Sequence, residues 1–107
     1  MYLYHVEAWL KTIIELDING YPKIAIRRVF SQMVSLLEAK DFVSIDEVFI
    51  CLVQTKEQLS VSVALSFLSI TRTQSETPSR HRYYALVQER LIRERGEAEA
   101  LRLLGEL

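Results

Sequence analysis

At 107 residues, half apolar and a quarter charged, the chain has the make-up of one globular domain, and such a chain hides roughly two-thirds of its unfolded surface. That balance excludes wholesale disorder, and a formal charge of −1 gives no bulk attraction to nucleic acid or anionic lipid, so any such contact must come from a local patch. A single cysteine, Cys51, excludes an intrachain disulfide.

Residues 2–18 read as the first helix. Leu3, Val6, Leu10, Ile13 and Ile14 make its core stripe, and Asn19-Gly20 stops it, with Gly20 suited to the left-handed residue that often follows a helix. Tyr2, Trp9 and Leu16 add a second row at i, i+7 and i+14. This shoulder is either packed against a neighbouring helix or presented to a partner. Met1 to Leu10 carries no basic region ahead of an apolar one, so no secretory signal is expected and the protein is expected in the cytoplasm.

Pro22 fits the first position of a second helix, where its missing N–H is no loss. Ile26, Val29, Phe30, Met33 and Leu37 then recur at helical spacing to about Ala39. Lys23, Arg27 and Arg28 face no acidic residue between 21 and 37, and are read first as a solvated face and second as a phosphate contact. Ser44-Ile45-Asp46-Glu47 has the form of a capping box and opens a third helix through about Val53. Cys51 lies in the apolar run Val48 to Val53, where it is expected to act as a small hydrophobe. That run is far short of the roughly 20 residues a membrane span needs.

Leu59 to Ile70 carries no charge and belongs inside. Two periods compete in it. Val61, Val63, Leu65 and Phe67 alternate as a strand would, whereas Val61, Ala64, Leu65 and Leu68 follow helical spacing. Ser62, Ser66 and Ser69, continued by Thr73, decide for a helix, because only a helix gathers them into one stripe of small groups. Such hydroxyls bond back to the carbonyl four residues earlier. Thr71 to Ser79 reads as a surface loop, with Thr77 or Ser79 able to cap the next helix. A final long helix runs from about Ser79 to Arg95 with Tyr84, Val87 and Leu91 as its seam. Beyond Gly96, a short helix to Leu104 is expected to turn Ala98, Leu101 and Leu104 inward, with Gly105 ending it.

The expected fold is therefore all-α, a compact single domain spanning 1–107, with four to five helices around a buried central helix at about 59–70. Chemistry has little to stand on. The only histidines, His5 and His81, lie away from the serine-rich segment, so no nucleophile has a base beside it. No metal is expected, since no His or Cys pair has ligand spacing and an EF-hand would need a central Gly. Gly20, Gly96 and Gly105 make no phosphate loop, and no cofactor or small-molecule substrate is implied.

The first functional expectation is a non-catalytic protein–protein interaction module, meeting another protein or a second copy of itself through Tyr2, Trp9 and Leu16. The alternative is a nucleic-acid-binding regulator using Arg80, Arg82, Arg90 and Arg93 beside Tyr83 and Tyr84. Glu89 with Arg93, and Arg90 with Glu94, are i, i+4 pairs that neutralise part of that charge and count against nucleic acid. A helix-turn-helix across Gln54 to Gln58 fares no better, because its second helix would be the uncharged one. No membrane partner is expected.

Overall fold

An uncharged helix has two ends full of unpaired backbone groups and no side chains of its own to answer them. In a computed structural model of the chain, neighbouring elements supply those answers. The structure describes residues 2–40, 45–55, 59–74 and 77–107, and the side chains of all of these except residues 2–5, 38–40 and 74. In chain order the described helices are α1 (Tyr2–Ile18), α2 (Lys23–Lys40), α3 (Ile45–Gln54), α4 (Val61–Ile70), a 3₁₀ turn (Arg72–Gln74), α5 (Pro78–Arg95) and α6 (Glu97–Gly105). The radius of gyration, 13.3 Å, matches the ~13 Å expected of a compact chain of this length.

The fold is an all-α bundle, with six α-helices among the described residues where four to five were expected. The sixth is the short helix expected beyond Gly96. That glycine's φ of 85° breaks α5 from α6, and the phase of the inward face restarts there. Ala100 and Leu104 are buried, while Ala98 is exposed and Leu101 is 58 % exposed, which corrects the inward face predicted for that segment.

α4 holds the centre, in contact with α2 and α5. Val61, Val63, Ala64, Phe67 and Leu68 are buried. Phe67 stacks on Phe30 of α2 at 4.1 Å between ring centroids and meets Phe49 of α3 at 5.1 Å. Phe49 in turn meets Tyr83 of α5 at 5.8 Å, so one chain of rings links four helices. Of the serine stripe, Ser66 is buried and its hydroxyl donates to the Ser62 carbonyl at 3.2 Å. α4 begins two residues later than the segment predicted, with Ser60 as its N-cap.

α1 ends as the Asn-Gly signal predicts. Gly20 has φ 75°, its N–H donates to the Asp17 carbonyl, and the Tyr21 N–H donates to the Leu16 carbonyl, which together form a Schellman motif. α1 packs against both α2 and α3. On α2, Ile26, Phe30, Met33 and Leu37 are buried and Val29 is half-buried. Ser44 lies outside the described residues, so the capping box stands only in its acidic half, Asp46 and Glu47 in the first turn of α3.

Two further corrections concern α5. The residue that reaches the core is Tyr83, with its neighbour Tyr84 half-buried. Thr77 occupies the N-cap position and makes no side-chain cap bond. The Ser79 N–H instead donates to Asp46 Oδ1 at 3.1 Å, so one carboxylate sits at the N-terminal ends of both α3 and α5. In the predicted loop after α4, Thr71 is buried as the C-cap of that helix, while Arg72 and Thr73 are exposed in the 3₁₀ turn that follows.

Candidate interaction surfaces

The two ends of α4 consume several polar groups that the sequence offers for recognition. At its N-terminus, Asp17 of α1 accepts the Ser60 N–H at 2.6 Å and the Ser60 hydroxyl at 3.0 Å, while Ser60 Oγ accepts the Val63 N–H. Just upstream, Arg90 donates to the Leu59 carbonyl at 2.6 Å. At the C-terminus, the Thr71 hydroxyl donates to the Phe67 carbonyl at 2.8 Å. Arg80 donates to the Leu68 carbonyl at 2.8 Å and to the Thr71 hydroxyl at 3.3 Å. An anion thus stands near the positive end of α4 and a cation at its negative end, the arrangement a helix dipole favours. Arg80 is only 7 % exposed, and burial pushes its pKa down from the ordinary arginine value.

Of the four arginines considered for nucleic acid, Arg80 and Arg90 are therefore engaged in the fold, and Arg90 also pairs with Glu94 at 3.5 Å. Arg82 and Arg93 are exposed. No pair between Glu89 and Arg93 forms among the described residues, although their spacing permits one. Farther on, Arg102 of α6 bridges Glu99 and the C-cap residue Glu106, and its hydrogen bond holds the Glu99 carboxyl below the usual range. Arg80 had a legible signal, because it falls in phase with Val87 and Leu91 on the inward face of α5.

Trp9 and Leu16 are half-buried and pack against the core. The side chain of Tyr2 lies outside the described residues. Beside that row, a groove of ≈ 350 Å³ runs between α1 and α3, with Leu10, Ile14 and Cys51 along it and Glu7 and Lys11 at its rim. Burial pushes the Cys51 thiol above its ordinary pKa, and the charges of Glu7 and Glu47 push it the same way, so the thiolate that reacts or binds metal is disfavoured. Among the described residues no three His, Cys, Asp or Glu side chains gather to hold a metal ion, and no helix is long and apolar enough to cross a membrane.

The most exposed large apolar side chains lie elsewhere. Ile18 (70 %), Tyr21 (54 %) and Ile24 (64 %) fall within seven consecutive positions at the turn between α1 and α2. Lys23 lies among them and Arg27 and Arg28 just beyond, all exposed, and no carboxylate among the described residues pairs with them. Sequence reading passed over this corner, though Ile24 carried a signal. It lies two residues from Ile26, about 200° around the helix, and so points away from the buried stripe. The chain matches no protein-family model, no curated protein and no solved structure.

Proposed function

We propose that the chain is a small non-catalytic interaction module, and that its working surface is the corner between α1 and α2. The observation that carries this reading is the placement of Ile18, Tyr21 and Ile24, three of the four most exposed large apolar side chains among the described residues, at one hairpin end. Apolar groups left in water and rimmed by charge are the usual signature of a docking surface. Trp9 and Leu16 are half-buried against the core, so the corner leaves more apolar surface in water than that row does. For nucleic acid, the fold leaves Arg82 and Arg93 of the four arginines first considered, which favours a protein partner.

Co-purification from the native cell tests the reading. Wild-type chain is expected to bring down a discrete protein that Ile18→Ser/Ile24→Ser, with unchanged helix content, does not. Equal recovery by both removes the corner as the working surface. If the partner is a second copy, light scattering shows a dimer in the wild type and a monomer in the variant.

A further inference from the structure

We infer that the partner at the α1–α2 corner is a second copy of this chain, the end of α1 in each copy lying antiparallel on the start of α2 in the other. This rests on the reading of the corner as the working surface and adds what docks there. At the start of α2, Ile24 is exposed, and Arg27 and Arg28 stand one turn beyond it. At about 100° per residue, Arg27 falls roughly 60° to one side of Ile24 and Arg28 roughly 40° to the other. The two guanidinium groups therefore straddle the row that Ile24 begins, and Lys23 adds a third cation on the Arg27 flank. Residues 21–37 contain no Asp or Glu, and no carboxylate among the described residues forms an ion pair with these three.

Such a surface asks for one exposed apolar side chain with a carboxylate about one turn away. The end of α1 offers that pair. Ile18 is exposed, and Glu15, three positions earlier, is exposed and forms no ion pair among the described residues. Asp17, the other carboxylate near that end, is already engaged by Ser60. The separations agree as well: Ile18 to Glu15 and Ile24 to Arg27 are each roughly 4.5 Å along their helices, and Ile24 to Arg28 is roughly 6 Å. Set antiparallel, Ile18 of one copy meets Ile24 of the other, and Glu15 falls against the arginine pair. Because the arginines lie on both sides of the Ile24 row, a carboxylate displaced either way finds one of them. Each copy carries both halves, so the contact is reciprocal, and a reciprocal contact closes as a two-fold dimer. The two-fold uses every such pair twice, which doubles what a small surface contributes. A formal charge of −1 per chain sets little long-range repulsion against the pairing.

Sedimentation of the full chain across a range of concentrations is the test. Wild type is expected to pass from monomer to dimer. Glu15→Arg and Arg27→Glu/Arg28→Glu are each expected to weaken the dimer by about tenfold or more, because each sets like charges face to face twice. Mixed in equal amounts, the two variants are expected to regain the dimer as a mixed pair, since each supplies the charge that the other lacks. Glu15→Gln introduces no repulsion and is expected to weaken the dimer severalfold, which keeps the test open if a charge reversal disturbs α1. A wild type still monomeric at about 1 mM, where a dimer of millimolar dissociation constant holds about half the chains, overturns the inference. A mixture that associates no better than either charge-reversed variant alone overturns it too. The native-cell capture separates this failure from failure of the corner. A monomeric wild type whose captured protein is lost by Ile18→Ser/Ile24→Ser leaves the corner standing and sinks the second copy. A dimer that survives Ile18→Ser/Ile24→Ser sinks both.

Discussion

α2 and α5 are both 18 residues long and both carry arginines, two on α2 and five on α5, yet the two helices use that side chain in opposite ways. On α5, Arg80 and Arg90 reach backbone carbonyls at the two ends of the segment 59–70. On α2, Arg27 and Arg28 reach no partner among the described residues. Residue type therefore decides little, and phase decides most. Arg80 stands on the inward stripe with Tyr83, Val87 and Leu91, whereas Arg27 and Arg28 stand outside the stripe of Ile26, Phe30 and Met33. A guanidinium is retained inside here because α4 brings no polar side chain to its own C-terminal carbonyls except Thr71, and a cation at that end also answers the dipole.

The contrast is broken most directly at Arg80. Arg80→Met keeps the length and apolar stem but removes both hydrogen bonds, leaving the buried Leu68 carbonyl only the longer contact from the Thr71 hydroxyl at 3.4 Å. A loss of about 2–3 kcal/mol in urea denaturation is expected, against next to nothing for Arg27→Met. A stable Arg80→Met would mean that a well-packed apolar side chain serves as well, as it does for some buried ionic groups. The guanidinium would then have to be explained by something other than the end of α4.

Much of this architecture is legible along the chain, and the limits have physical causes. The serine spacing of 62, 66 and 69 separates helix from strand locally, and the structure agrees because nothing distant has to intervene. The caps of α4 are another matter. Asp17 and Ser60 are 43 positions apart, and Arg80 and Leu68 are 12 apart, so neither pairing leaves a periodic mark. Tyr83 and Tyr84 are interchangeable by spacing, since Val87 follows at i+4 from one and i+3 from the other. The choice between them is made by Phe49, whose ring meets Tyr83. In α6 the error is one of phase within a short segment: Leu104 is inward as expected, but the residue buried one turn before it is Ala100, with Ala98 and Leu101 exposed. On the candidate surface, the exposure of Ile18 and Tyr21 depends on how far the α1–α2 turn projects, which only the packed bundle defines.

The opposite end of α4 sharpens the comparison with a smaller effect. Asp17→Ala removes the acceptor for the Ser60 N–H and hydroxyl, and loss of such an N-terminal contact is expected to cost about 1–2 kcal/mol. Smaller again is Asp46→Asn, which keeps an oxygen for the Ser79 N–H but removes the charge shared between the starts of α3 and α5. A loss of about 0.5–1 kcal/mol is expected there, shrinking as salt is added. An effect of Asp46→Asn as large as that of Asp17→Ala would show that charge, rather than hydrogen bonding, dominates these helix starts.

The smallest stability effect belongs to α2, and it carries the most functional meaning. Arg27→Gln/Arg28→Gln removes two exposed cations that hold nothing in place, so the urea midpoint is expected to move by less than about 0.5 kcal/mol in equivalent stability. Relief of repulsion among Lys23, Arg27 and Arg28 could even raise it slightly, because like charges one turn apart on a helix repel. A residue pair that faces water and meets no carboxylate among the described residues is expected to do no work for the fold. If the double variant instead unfolds as readily as Arg80→Met, these cations belong to the architecture after all. The contrast between α2 and α5 then collapses, and with it the reason to read the corner that these cations rim as a docking surface.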